Sequence, residues 1–587
     1  MKMRMVFLFI FLFIFACKTK KPTGKSYYDR GNFTGALADS AMVVSAHAEA
    51  SRVGVEILKK GGNAVDAMVA THLALAVVYP RAGNIGGGGF MILRLNDGTL
   101  KTLDFREKAP TASHRDMYLD DEGNVISRLS IDGHLAVGVP GSVAGCFEVH
   151  QKYGKLDWAT LVAPAIELAQ KGYMLSSIEA NYLNENQEFF QKFNTNSTYF
   201  QQDKKWEGGN MFVQEDLAKT LTRLKENGKK DFYEGETADL IVAEMKRGNG
   251  IITHEDLKNY EPVWREPLVG TYKKDYKIIS MAPPSSGGIA LLQMCKMLEE
   301  YPVKDWGFLH PKTVHYMIEC ERRAYADRAT HLGDTDFYPV PIEGLLDEAY
   351  LDERAKSIQA DKASISNEIE AGKPKGATAS PTGKMPKESN ETTHYSIVDQ
   401  WGNAVSVTTT LNSNYGSKTF VSNGGFLLNN EMDDFSAKPG VPNQFGLLGN
   451  EANAIVPHKR MLSSMTPTIV EKNGELFMVL GTPGGATIIT SVFQNIINVI
   501  EHDMSMLESV NAPRFHHQWK PDVIFTERDV FPQQTLEELK KMGHTLVERG
   551  SLIEKETIGK VDAILVRPNG QLEGAGDIRG EDAALGY

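Results

Sequence analysis

The sequence predicts an α+β fold of stacked layers around a central sheet. Two observations carry this reading. Helix-type patterns crowd the first two-thirds of the chain, and strand-type runs gather around Thr392 and again beyond residue 466. From Thr392 the sequence TTHYSIV and, after a turn, AVSVTTTL are rich in β-branched and aromatic residues, as sheet positions require.

The first element is a targeting segment. Met1 to Arg4 carries two positive charges, and an apolar run from Met5 to Ala16 ends at Cys17. That run is too short for a spanning helix and has the proportions of a signal-peptide core. Cys17 after Ile14-Phe15-Ala16 is similar to a bacterial lipoprotein box, with Ile14 where leucine is usual. Residues 1–17 then form the signal peptide, Cys17 becomes the lipidated first residue and 18–35 a polar tether. The protein is expected to be exported, to the bacterial periplasm or onto the outer membrane. A plain cleaved signal with Cys17 incidental is the alternative.

Asn63-Ala64-Val65-Asp66 opens a helix to Val78, with Asn63 as N-cap and Pro80 as stop. The glycines from Gly83 to Gly89 follow this helix and lead into the strand FMILRL. A phosphate-binding loop has the opposite order, so close backbone packing is expected there and not a nucleotide. Asn96-Asp97-Gly98 turns the strand back on itself. Residues 156–172 and 211–260 read as helices with polar turns, and Lys277–Met281 as a short strand. Pro283-Pro284-Ser285-Ser286-Gly287-Gly288 introduces helices from Ile289 to about Leu332. Residues 371–391, AGKPKGATASPTGKMPKESNE, offer almost nothing for a core and read as an exposed, easily cut segment. After the Thr392 strands come strands at 467–471 and 475–480, a helix over 486–502, and strands at 523–526 and 562–566.

The bulk properties narrow the function. With 42% hydrophobic and 24% charged residues the chain is an ordinary globular protein. A length of 587 residues taken alone suggests roughly four domains. The pieces of one candidate site run from about residue 100 to 485, which argues against such a division. A net charge of −12 without a lysine/arginine stripe argues against a nucleic-acid partner. Beyond Cys17 three cysteines remain, an odd count that gives no disulfide framework. Cys295 and Cys320 lie on apolar helical stretches and read as packing residues.

The chemistry centres on Thr392. A cut at the Glu391–Thr392 bond would leave a threonine with a free α-amine at the head of a strand. Such a residue is nucleophile and base in one, because an amine titrating near about pH 8 can take the hydroxyl proton. The alternative is a linker running into an ordinary strand. If Asp399–Asn403 closes a hairpin, Val398 faces Ala404 and Thr392 faces Thr410, placing a second hydroxyl beside the first. Gly481-Thr482-Pro483-Gly484-Gly485 joins a strand to a helix. Its amides and the helix N-terminus suit an oxyanion hole, or simply a tight turn. Ser463 and Ser464 offer adjacent hydroxyls before a strand. Arg106 could bind a carboxylate bidentately, or pair with its neighbours Asp104 and Glu107. The loop Asn429–Phe435 holds acids suited to a substrate ammonium, without the spacing of a calcium loop.

Taken together, GGNAVDA (61–67), DFRE (104–107), VGVPGSVAG (137–145), PPSSGG (283–288), TTHYS (392–396), TLN (410–412), NNEMDDFS (429–436), LSSM (462–465) and GTPGG (481–485) resemble the γ-glutamyltranspeptidases of the N-terminal-nucleophile hydrolase superfamily. The resemblance implies a four-layer αββα sandwich built jointly by a large subunit, 36–391, and a small catalytic subunit, 392–587. It implies self-cleavage between Glu391 and Thr392, and transfer of the γ-glutamyl group of glutathione or related amides to water, amino acids or peptides. By the same resemblance Thr410 supports Thr392, and the Gly484 and Gly485 amides hold the oxyanion. Arg106, Ser463 and Ser464 would bind the α-carboxylate, and Asn412, Glu431 and Asp434 the α-amine. No metal or organic cofactor is implied. Residues 439–450 resemble a lid loop that suits small substrates, with Phe445 where a tyrosine commonly bonds the asparagine matching Asn412. Two rival readings are a cephalosporin or glutaryl-amide acylase on the same fold, and an uncleaved surface lipoprotein that binds γ-glutamyl compounds.

Overall fold

The computed structural model describes residues 35–195, 198–201, 203–378, 392–438, 441, 449–549 and 557–587. The signal peptide, Cys17, the tether up to residue 34, Glu391 and Phe445 lie outside the described residues. Gly35, expected at the end of the tether, already pairs with Ala575 in a strand.

Two antiparallel seven-stranded sheets form the centre. One runs Gly35–Ala38, Leu572–Ala575, Asp562–Val566, Glu475–Gly481, Thr468–Lys472, Tyr276–Ser280, Leu268–Tyr272. The other runs Ala583–Gly586, Met42–Ser45, Thr393–Val398, Ala404–Thr410, Gly88–Arg94, Leu100–Asp104, Val263–Arg265. Side chains alternate along each strand, and the alternation assigns the layers. Met42, Val44, Ile92 and Val398 of the second sheet meet Ile279, Ile469, Val479 and Ile564 of the first. Their neighbours Val43, Met91, Tyr395, Ile397, Val405 and Val407 turn outward onto the helices Ala48–Lys59 and Ala64–Val78. On the far side Ile278, Val470, Met478 and Leu480 pack with Gly287–Leu298, Pro311–His331 and Thr487–Glu501. The order is helix, sheet, sheet, helix, the αββα sandwich. Because both faces of each sheet are buried, a one-residue slip would exchange the two faces and misplace every side chain, so register is strongly held.

Helix Ala64–Val78 starts where its cap predicts. Asn63 and Asp66 form a reciprocal capping box, and all fifteen helical residues are buried. The glycines after it serve close packing. A Cβ on Gly87 would sit 2.0 Å from the Thr410 carbonyl oxygen, and one on Gly89 2.3 Å from that of Thr408. This lets Gly88–Arg94 lie tight against the strand that ends at Thr410.

Strands from before residue 379 and after residue 391 interleave in both sheets. Thr393–Val398 lies between Met42–Ser45 and Ala404–Thr410. The C-terminal strand Ala583–Gly586 pairs with Met42–Ser45 from the other side. Cys146, Cys295 and Cys320 are free and buried, and burial pushes their thiols up, as packing residues require. Among the described residues no helix is long and apolar enough to cross a membrane.

Candidate active site

The hairpin has the register that its sequence implies. Val398 pairs with Ala404 and Thr393 with Thr409, without a bulge. Asp399 closes the turn: one carboxylate oxygen accepts from the Trp401 and Asn403 amides, both at 2.9 Å. Thr392 Oγ1 therefore lies 3.3 Å from Thr410 Oγ1. The Asn412 amide donates to Thr410 Oγ1 at 2.7 Å. With that lone pair occupied, the Thr410 hydroxyl can give its proton toward Thr392. Asn84, which sequence reasoning did not single out, holds this strand end: its Nδ2 donates to Thr409 Oγ1 and to the Thr410 carbonyl, at 3.2 and 3.0 Å. His394 points between the sheets, 2.9 Å from Thr408 Oγ1. Burial lowers its pKa to about 3, so the ring is neutral.

One pocket is lined by all the predicted site residues except Glu391 and Gly484. Gly484 adjoins the lining residue Gly485. Their φ angles, 138° and 56°, lie in the region that glycine alone adopts cheaply. Thr487 donates from its amide and hydroxyl to the Gly484 carbonyl, at 3.0 and 2.8 Å, while the Gly484 and Gly485 amides bond to no described residue. Both precede the helix Thr487–Glu501, whose N-terminus favours negative charge.

The serines are held from behind by the segment Pro284–Gly287. Ser463 donates its amide to the Pro284 carbonyl at 2.9 Å. The Ser286 amide and hydroxyl both donate to the Ser463 carbonyl at 2.7 Å. Ser463 Oγ accepts from the Met465 amide at 3.1 Å, and Ser464 Oγ from Arg328 Nη2 at 3.1 Å.

Arg106 is buried, and its two nearest acids are not its sequence neighbours. Nη1 lies 2.5 Å from Glu431 Oε2 and Nη2 2.5 Å from Asp434 Oδ2, with Glu107 at 3.7 Å. The Asp104 carboxylate turns instead to Arg265 and Arg460, at 2.7 and 3.3 Å, and only accepts the Arg106 backbone amide. Asn453 ties the two walls together. It donates to the Asp434 carbonyl at 2.7 Å and accepts from the Leu462 amide at 2.9 Å. Asn412, at φ 77°, donates to the Asn430 carbonyl at 2.9 Å.

Burial raises both Glu107 and Glu431 above the ordinary carboxylate range against the pull of Arg106, Glu107 to about 8 from 4.5. A raised carboxyl favours the folded state when protonated. Its contribution is full below pH 4.5 and is lost as pH rises through about 8. Glu107→Gln keeps the neutral shape at every pH. The Tm of the wild type relative to this variant should therefore fall across that window. A difference that stays constant from end to end would show that Glu107 does not titrate there.

Outside the cavity, His315, Glu319 and His544 form a buried cluster of ligand-type side chains. Glu319 accepts there from Arg322, Arg323 and the Ser364 amide, at 3.3, 2.6 and 3.1 Å. This is an ion-paired cluster with two guanidinium groups in place.

The Gamma-glutamyltranspeptidase family profile matches residues 50–587. The chain belongs to the γ-glutamyltranspeptidase family. It is similar to the glutathione hydrolase proenzyme of Escherichia coli, with 45% identity over 553 residues, 94% of this chain and 92% of that one. The crystal structure of γ-glutamyltranspeptidase from Helicobacter pylori matches with a TM-score of 0.56 at 45% identity, over 59% of this chain and 98% of that chain. The crystal structure of cephalosporin acylase from Bacillus halodurans matches with a TM-score of 0.82 at 25% identity, over 97% of this chain and 99% of that chain. The family thus shares its sandwich with acylases, and the choice between the two activities rests on the site.

Proposed function

We propose that this chain is a self-cleaving γ-glutamyltransferase and glutathione hydrolase. The observation that carries the reading is the pairing, in one cavity, of an anion-binding wall with a cation-binding wall beside Thr392. Ser463, Ser464 and Arg106 suit an α-carboxylate; Glu431 and Asp434, helped by Asn412, suit an α-ammonium. In the ligand-free site these acids hold Arg106 themselves. A zwitterionic glutamyl group offers each side a replacement partner.

Maturation begins when Thr392 Oγ attacks the Glu391 carbonyl carbon. The peptide C–N bond breaks as the ester forms, and the hydroxyl proton passes to the released amine. Water then hydrolyses the ester, freeing the Glu391 carboxyl and regenerating the Thr392 hydroxyl. The large subunit is 36–391 and the small one 392–587. In turnover the Thr392 α-amine takes the proton from its own hydroxyl, and Oγ attacks the γ-carbonyl of glutathione or another γ-glutamyl amide. The Gly484 and Gly485 amides hold the oxyanion, and Thr410 donates toward Oγ. The amine leaves, and water, an amino acid or a peptide takes the glutamyl group. The enzyme is exported, its Cys17 lipidated and its body carried on the tether, either in the periplasm or on the outer membrane.

An acylase for glutaryl amides would have no α-amine for Glu431 and Asp434. One experiment separates the readings. Intact-mass spectrometry and N-terminal sequencing should give two chains, the smaller beginning Thr-Thr-His-Tyr. That material should turn over a γ-glutamyl anilide roughly 10³-fold faster, by kcat/KM, than the glutaryl anilide, because a site built for a buried polar group rejects the analogue lacking it. One uncut chain that binds γ-glutamyl compounds would overturn the enzyme reading. Equal turnover of both anilides would favour the acylase.

A further inference from the structure

We propose that Arg328 is a positioning residue that sets the polarity of the α-carboxylate wall by acting through Ser464. The inference rests on the γ-glutamyl reading of the site and adds a residue to it. Arg328 is buried in the last turn of the helix Pro311–His331, where the helix C-terminus favours a cation, and it lines the cavity. Its Nε donates to Ser286 Oγ at 2.9 Å and its Nη2 to Ser464 Oγ at 3.1 Å. A hydroxyl has one proton and two lone pairs, while a guanidinium only donates and stays charged. Both serines are therefore acceptors toward Arg328, which fixes where their protons go. Ser286 sends its proton to the Ser463 carbonyl at 2.7 Å. Ser464 keeps its proton to donate, and it lines the cavity.

Ser463 is polarised the same way by a different donor, because its Oγ accepts the Met465 amide. The two hydroxyls thus present protons, in parallel, to whatever anion lies against them. The Met465 donor is backbone and cannot be mutated away; the Arg328 donor can. Arg328 also adds a fixed positive charge one hydroxyl away from the carboxylate. This favours a charged α-carboxylate over an uncharged α-carboxamide of the same shape. The rigid fork matters as well as the charge, since one planar group orients Ser286 and Ser464 together.

The test uses the full chain with γ-glutamyl-p-nitroanilide and its α-carboxamide analogue. Arg328→Met should raise KM for the carboxylate substrate roughly 30-fold, the scale of one hydrogen bond to a charged group. It should leave kcat within about threefold and hardly change KM for the carboxamide. Arg328→Lys should recover part of the loss. On a Ser464→Ala background, adding Arg328→Met should change KM clearly less than on the wild type, because the path through the hydroxyl is already gone and only the effect of the fixed charge remains. An equal rise in KM for both substrates, a loss confined to kcat, or full additivity with Ser464→Ala would overturn the proposal. If Arg328→Met does not yield soluble protein, the same cycle with Arg328→Lys decides: additivity refutes and non-additivity supports. Failure of the wild type to turn over the γ-glutamyl anilide would instead refute the underlying function, whatever the variants do.

Discussion

Thr392→Ala should leave a single uncut chain with no measurable γ-glutamyl turnover. In the proposed mechanism the side-chain oxygen is required twice: once to attack the Glu391 carbonyl, once to attack substrate. Losing it removes both events, and uncut chain lacks the free α-amine that serves as base. Loss of a nucleophile costs about 10⁶ in kcat in enzymes of this mechanistic type, which places the variant at background. Thr392→Ser keeps the oxygen and should still be cut. Alanine fits the buried position without disturbing the strand, since the register is carried by Thr393–Val398 against Ala404–Thr410. The readouts are chain mass after purification and initial rate with a γ-glutamyl anilide. An alanine variant that still yields two chains would remove Thr392 from the cleavage step.

Arg106→Gln should be the most damaging change in the pocket that leaves the nucleophile in place. The guanidinium lies within 2.5 Å of Glu431 and Asp434 and 3.7 Å from Glu107, all but Asp434 fully buried. Removing one partner of a buried pair costs about 3–5 kcal/mol, because the remaining carboxylates keep their desolvation penalty. At roughly 2.1 cal/mol/K per residue of unfolding entropy, a chain of this size should lose only about 3–4 °C in Tm. The catalytic loss is larger in proportion. The same energy taken from substrate binding is a factor of about 10²–10⁴ in kcat/KM. Thermal unfolding and steady-state kinetics on one preparation check both parts. A variant with normal KM would mean that Arg106 serves the fold alone.

The Thr392–Thr410 pairing was legible because it closes the open end of a regular hairpin, whereas the roles of the loop residues around it came from the resemblance of their motifs. TTHYSIV and AVSVTTTL pair around a turn closed by Asp399 without a bulge, so the count that sets Thr392 against Thr410 holds. The partners of Arg106 could not be counted. Asp104 and Glu107 were the available acids in sequence, but the carboxylate of Asp104 turns to Arg265 and Arg460, and Glu431 and Asp434 arrive from a distant loop. Arg328 was hidden for a related reason. Arg322, Arg323 and Arg328 share one helix, yet the first two serve Glu319 and only the third reaches the serines. Among the strands, Gly35–Ala38, Val263–Arg265, Leu572–Ala575 and Ala583–Gly586 are short sheet-edge or chain-end pieces without an alternating pattern. Only the neighbouring strands specify them.

The interleaving of strands from before and after Thr392 bears on the lifetime of the mature protein. As a precursor the chain can reassemble its sheets in a unimolecular search. Once cut, the two pieces would have to find each other and reinsert the hairpin of Thr393–Val398 and Ala404–Thr410 between Met42–Ser45 and Gly88–Arg94. Such a step is concentration-dependent and exposes unpaired sheet edges on the way. Maturation thus converts a protein held by equilibrium stability into one held by the height of its unfolding barrier. The cut that arms the nucleophile also makes assembly a one-time event.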